Sequence, residues 1–282
     1  MTTTPLTPKA IRQIILEQSK RAHVGHIGSC LSVADIIAAL YAGVLNIPAP
    51  GDPERDRFVL AKGHAALTLY AALYLKGWLS AADLNTFHGD GSLLGVHPEV
   101  HLSGVDFSTG SLGQGLTFAA GAALAARMQR SQRRVFALVS DAECNEGSLW
   151  EAAMFAHHHR LANLIAIVDA NRQQALGYTD DVLKLNPLAD HWRTHGWDVY
   201  EVDGHDVAGM QSVIAGLNTV DGPPHVLIAH TTFGKGVSYM ESQIRWHYMP
   251  MSDAEYQQAL AEIGVIGAVA GASAQTNGAE TR

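Results

Sequence analysis

The sequence predicts an α/β fold: a mostly parallel sheet with helices on both faces. Three observations predict it. Residues 135–139 and 164–168 are uninterrupted apolar runs of strand length, the pattern of strands buried on both faces. Residues 147–159 between them read as a helix, and a strand–helix–strand unit makes its two strands parallel. Strand and helix patterns keep alternating on either side of this unit.

The elements follow in order. Residues 9–22 form a helix with Ile11, Ile14 and Ile15 on one face. A glycine-rich turn spans 23–28, and Ser32 is placed to cap a second helix running to about Tyr41. Residues 48–53 are a loop. Residues 58–60 are a short strand ending at Lys62-Gly63-His64, with helices over 65–76 and 80–87. Residues 88–115 show little periodicity and much glycine, the mark of a loop that is functional or disordered. An Ala-rich helix covers 112–128. After the central unit come a helix at 188–195 and a strand at 197–202. Asp206 caps a helix to about Leu217, and a strand follows at 224–229. Residues 231–250 are loop-like, and 252–263 are a capped amphipathic helix. Residues 1–8 read as a flexible start. Residues 264–282, rich in Ala, Gly and Thr, read as a mobile tail.

A chain of 282 residues can bury a sizeable core. Its 47% apolar and 16% charged residues are those of a soluble globular enzyme. The net charge of −8 comes with no basic patch, which argues against nucleic acid. There is no Lys/Arg run or apolar span to suggest a membrane. Two cysteines without CxxC spacing and the lack of a signal-peptide pattern point to the cytoplasm.

The two central strands end in oxygen ligands, Asp141 and Asn171. Parallel strands bring these ends to one sheet edge, where open α/β sheets bind ligands. Mg²⁺ takes few protein oxygens together with phosphate oxygens, so the expected object is a metal-bridged diphosphate. Ser108-Thr109-Gly110-Ser111-Leu112-Gly113-Gln114-Gly115 opens the Ala-rich helix, where backbone N–H groups can meet an anion, although a plain tight turn fits as well. In Asp141…Glu143…Glu146 the two glutamates suit helix N-terminal capping, whereas Asp141 sits on the strand end itself. Fifteen histidines are an unusual count. Those beside glycine, at His26, His64 and His205, and His97 in Val96-His97-Pro98, are expected to face a ligand or to be surface and capping groups.

Taken in order, these motifs resemble the amino-terminal half of transketolase, a thiamine-diphosphate enzyme. The motifs are Gly25-His26 with Gly28-Ser29, Lys62-Gly63-His64, Gly95-Val96-His97-Pro98, residues 108–115, Asp141 with Glu146-Gly147, Asn171, residues 234–238, and Trp246-His247. The resemblance runs over nearly all of 9–262 and assigns 9–263 to a thiamine-diphosphate- and metal-binding domain. It departs where the family's Gly-Asp-Gly is Ser140-Asp141-Ala142. Ala142 keeps the backbone N–H, so binding is expected to survive if its φ is ordinary.

The resemblance implies roles residue by residue. Asp141, Asn171 and the carbonyl of Gln173 would hold Mg²⁺ or Ca²⁺. The backbone at Gly110, Ser111, Leu112, Gly113 and Ala142, with His64 and His247, would hold the diphosphate, with Leu112 near the aminopyrimidine. His26, His64, His97 and His247 would line the channel over the thiazolium and move protons. Glu146 would lie at the subunit contact. The implied reaction moves a two-carbon ketol unit from a ketose phosphate to an aldose phosphate, with the cofactor supplying carbanion and electron sink. The family's pyrimidine-binding and third domains have no counterpart here. The implied state is therefore the first subunit of a split transketolase, inactive alone and paired with a C-terminal subunit in an α2β2 heterotetramer. A related thiamine enzyme using dihydroxyacetone or a branched sugar phosphate remains open, as does a non-catalytic cofactor-binding homologue.

Overall fold

Residues 4–265 are described in a computed structural model; residues 1–3 and 266–282, and the expectations that fall on them, lie outside it. The main sheet contains β1 (Arg57–Leu60), β2 (Val135–Ser140), β3 (Leu164–Ala170), β6 (Asp198–Asp203) and β7 (His225–His230), in the order β1-β2-β3-β7-β6. Every neighbouring pair is parallel, so the predicted class holds. A small antiparallel hairpin, β4 (Gln173–Gln174) with β5 (Gly177–Tyr178), leaves the end of β3.

The apolar runs are apolar throughout because both faces are covered. Phe136 and Leu138 of β2 and Ile165 and Ile167 of β3 belong to one core. Val135, Ala137, Val139, Leu164, Ala166 and Val168 belong to the other. The alternation is the period of two that a strand imposes. The first core is closed by α1 (Pro8–Ala22), α2 (Ile27–Ser32), α3 (Ala34–Ala39), α4 (Ala66–Leu75), α10 (Val207–Ala215) and α11 (Asp253–Glu262). The second is closed by α6 (Gly115–Met128), α7 (Gly147–His158) and α9 (Leu188–Thr194). Short helices α5 (Ala81–Leu84) and α8 (Thr179–Val182) lie in the connections.

Several local signals work as read. Asp206 accepts the Gly209 N–H at 3.0 Å, and Ser252 with Glu255 forms a capping box. Others are corrected. The helix expected from Ser32 to Tyr41 is instead α2, α3 and a wider π-type turn over Leu40–Val44. Ser32 does not cap; it is the last residue of α2, and its hydroxyl donates to Asp169 at 2.7 Å. The Ala-rich helix starts at Gly115 and not at Leu112, because Gly113 has φ +87°, outside helical space. The loop expected at 231–250 contains one 3₁₀ turn, Ile244–His247. No helix among the described residues is long and apolar enough to cross a membrane.

Candidate functional site

Four parallel strands deliver their carboxyl ends to one edge: Leu60, Ser140, Ala170 and His230. Asp141 and Asn171 stand just beyond β2 and β3. The Asp141 carboxylate accepts N–H bonds from Ala142 at 2.8 Å and Arg172 at 2.6 Å, and its own N–H donates to the Asp169 carbonyl at 3.2 Å. These bonds tie the two strand ends together. Asp141 is buried, and burial with the nearby Asp169 pushes its pKa up to about 7. A carboxylate held there without a cation is costly, so the position favours one. Asn171 is also buried; its Oδ1 accepts the Gln173 N–H at 2.9 Å. The buried side-chain oxygen of Gln173 has no hydrogen-bond partner. One carboxylate with amide and carbonyl oxygens is a donor set for a hard cation that also takes phosphate oxygens. No group of three or more His, Cys, Asp or Glu among the described residues is arranged to hold a metal ion by itself. Ala142 is not among the positive-φ residues, so alanine there brings no backbone strain.

The glycine-rich turn reaches the same edge. Thr109 donates its hydroxyl to the Leu60 carbonyl at 2.6 Å, and a Cβ on Gly63 would come within 2.9 Å of the Gly110 backbone. Gly63 therefore permits the contact that seats His64 against the turn. Ser111 is exposed and Leu112 half-buried. Gly113 behaves differently from expectation: its N–H donates to Glu143 Oε1 at 2.8 Å. Glu143 is fully buried, and its other oxygen accepts the Ser140 N–H at 3.3 Å. It is a tether between the turn and β2 and does not cap α7. Glu146 occupies the N-cap position of α7, exposed and without a side-chain capping bond.

The four predicted histidines converge. The His26 and His64 rings lie 5.6 Å apart, His64 and His247 6.3 Å. His97 packs against Gly110, where an added Cβ would meet its ring at 3.0 Å. His26 holds a left-handed φ of +59°, and its N–H donates to the His247 carbonyl at 3.1 Å. His247 lies 4.5 Å from the Phe233 ring, and Gly28 lets that ring approach to where a Cβ would sit at 2.1 Å. Burial, then the Lys62 ammonium, holds His64 well below its ordinary pKa and His247 down to about 4. Burial, then His97, also lowers His26. All three are therefore neutral imidazoles at pH 7, able to donate at one nitrogen and accept at the other.

Neutral buried histidines carry a stability signature. Below pH 6.5 the unfolded chain takes up a proton that folded His247 refuses until about pH 4, so stability falls as pH drops through that window. His247 alone should remove about 2 kcal/mol between pH 7 and pH 5. Urea unfolding at the two pH values measures the loss, and His247→Gln should shrink it. An undiminished loss in that variant would show that His247 does not contribute.

Residues 5–268 match the family model described as the thiamine diphosphate binding domain of transketolase. The chain belongs to the transketolase family. It is 40% identical over 261 residues to the 6-deoxy-6-sulfo-D-fructose transketolase subunit of Clostridium sp. (strain MSTE9), covering 92% of this chain and 95% of that protein. It is 38% identical to an apulose-4-phosphate transketolase subunit of Phocaeicola vulgatus, covering 89% and 90%. Among solved structures, transketolase from Campylobacter jejuni superposes with a TM-score of 0.86 at 30% identity over 91% of this chain. The chain spans 42% of that structure's length.

This transketolase-family site holds contacts that the sequence did not show. Lys62 and Asp169 form an ion pair beneath Asn171, both fully buried. A charged residue inside an apolar strand was the available signal for Asp169. Arg12 binds Asp35 with both terminal nitrogens, and Asp35 in turn binds His205 Nδ1 at 2.7 Å. His205 Nε2 accepts the Thr232 N–H at 2.9 Å. This glycine-flanked histidine thus anchors the loop after β7. Asp141 also lines a cavity of about 500 Å³ with Asn145, Arg172, Glu201 and His230; none of the four site histidines lines it.

Proposed function

We propose that this chain is the diphosphate-binding subunit of a two-chain, thiamine-diphosphate- and Mg²⁺-dependent transketolase, with residues 9–263 as its cofactor-binding domain. The observation that carries this is one sheet edge joining an oxygen pair, Asp141 and Asn171, to three neutral histidines and a glycine-rich turn. The relatives named as subunits support it, since they match this chain over nearly their whole length.

Asp141, Asn171 and the Gln173 carbonyl would hold Mg²⁺ or Ca²⁺. The N–H groups of Gly110, Ser111 and Leu112, with His64 and His247, would meet the diphosphate; the Ala142 N–H is given to the Asp141 carboxylate at 2.8 Å and would act by orienting it. Gly113 N–H is engaged by Glu143 and would act by shaping the turn. Bound thiamine diphosphate supplies the carbanion and electron sink. His26, His64 and His97 would bind donor hydroxyls and hold or move protons at their ring nitrogens. Exposed Glu146 would lie at a subunit contact. The partner would be a chain carrying the pyrimidine-binding and third domains, two copies of each chain, in the cytoplasm, where free Cys30 and Cys144 suit a reducing compartment. The relatives' names carry a sulfonated fructose and an apulose phosphate. Both are anionic ketoses, and that is the donor class we infer.

Calorimetry with thiamine diphosphate and Mg²⁺, with and without the partner, tests the proposal; no binding in either case would sink it. His97→Ala should raise the donor KM about 10-fold, the scale of one lost hydrogen bond, with cofactor affinity unchanged. A variant with an unchanged KM would remove His97 from the donor site.

A further inference from the structure

Asp169 is a carboxylate with all its acceptor positions filled. Lys62 Nζ is paired with Oδ2, and Asn171 Nδ2 donates to the same oxygen at 2.8 Å. The hydroxyls of Ser32, at 2.7 Å, and Thr231 both donate to Oδ1. Lys62 and Asp169 are both fully buried. An ion pair buried this deeply is a poor source of stability, because desolvation offsets the attraction and apolar replacements often serve as well. A role other than stability is therefore indicated.

The chemistry of the amide supplies one. Asn171 has a donor end and an acceptor end, whereas a carboxylate only accepts. Asp169 therefore fixes the NH₂ group toward itself and turns Oδ1 away, onto the Gln173 N–H. Lys62 balances the carboxylate's charge from the other side. The next residue along, Arg172, gives its N–H to Asp141, so the same short segment also places the second oxygen ligand.

We propose that Lys62 and Asp169 are positioning residues, whose pair fixes the Asn171 amide so that Oδ1 faces a divalent cation beside Asp141. The inference rests on reading Asp141 and Asn171 as metal ligands. Mn²⁺ is the probe, its free fraction measured by electron paramagnetic resonance on the full chain with thiamine diphosphate present. Asp169→Asn offers the neighbouring amide a donor as well as an acceptor, and should lower Mn²⁺ affinity about 10- to 100-fold, as lost supporting bonds do at metal sites. Should that variant unfold, Lys62→Met/Asp169→Asn removes both charges together and should show the same loss with native circular dichroism. Arg55→Met/Asp106→Asn breaks another buried pair, remote in sequence from Asn171, and should leave Mn²⁺ affinity unchanged. A folded Lys62/Asp169 variant with wild-type affinity, or an equal loss in the control, would overturn the proposal. Absence of Mn²⁺ binding in the wild type would instead overturn the ligand reading, and this inference with it.

Discussion

Asp141→Ala is expected to abolish metal-dependent binding of thiamine diphosphate. Groups that merely support a metal ligand cost 10- to 100-fold in affinity when removed, so a direct carboxylate ligand should cost on the order of 100-fold or more. Asp141 supplies the charged oxygen of the proposed set, and nothing else in that set can replace its charge. The variant should nevertheless fold. Burial raises the pKa of Asp141 from 3.8 to about 7, so in the folded protein its ionised form costs stability progressively as pH rises through that interval. Alanine relieves this cost. It also strips an acceptor from the Ala142 and Arg172 N–H groups, worth roughly 1–3 kcal/mol each where water cannot replace it. The two effects oppose, and thermal melting without metal should move by only a few degrees. Isothermal titration calorimetry with thiamine diphosphate, with and without Mg²⁺, is the measurement. Affinity within about threefold of wild type, still dependent on metal, would refute the assignment.

Local and periodic signals read correctly because they depend on neighbours in sequence. The apolar runs of β2 and β3, the 3.6-residue face of α1 and the capping box at Ser252 are of this kind. What escaped depends on partners far along the chain. Ser32 has the look of a helix cap, but its hydroxyl is claimed by Asp169 across 137 positions, and the expected helix breaks at Val33. Glu143 looks like an acid at a helix start, yet it is buried on Gly113, 30 positions back. His205 shares the glycine-flanked pattern of His26 and His64, but it serves Asp35 and Thr232. Identical local patterns thus separate into histidines of the candidate site and scaffold histidines only when the sheet edge is assembled. The placement of Asp141 and Asn171 just beyond two parallel strands was legible because strand ends are set by the strands themselves.

The purified chain by itself should show no ketol transfer, and a partner subunit carrying the pyrimidine-binding domain should restore it. The candidate site brings together three neutral histidines and a buried carboxylate, Asp141. It is also open. His97 and Ser111 face solvent, and so do large apolar groups close in sequence to His247 and Asn171, with Tyr248 55% exposed, Met249 48% and Leu176 79%. Apolar side chains clustered by a polar site mark a surface that another surface covers. An uncovered site keeps water, and water weakens every electrostatic contact that would act on the reacting atoms. On the proposed reading, the partner also brings an acid–base group to the cofactor. One well-placed acid–base group is worth about 10²–10⁴-fold, so adding the partner should raise the rate by at least that much. Transfer from an anionic ketose to an aldose, followed against added partner, should saturate at equal numbers of the two chains. Light scattering on the saturated mixture should give two copies of each. Full transfer by this chain alone would refute the split-subunit reading. Saturation at another ratio, with activity restored, would correct only the α2β2 stoichiometry.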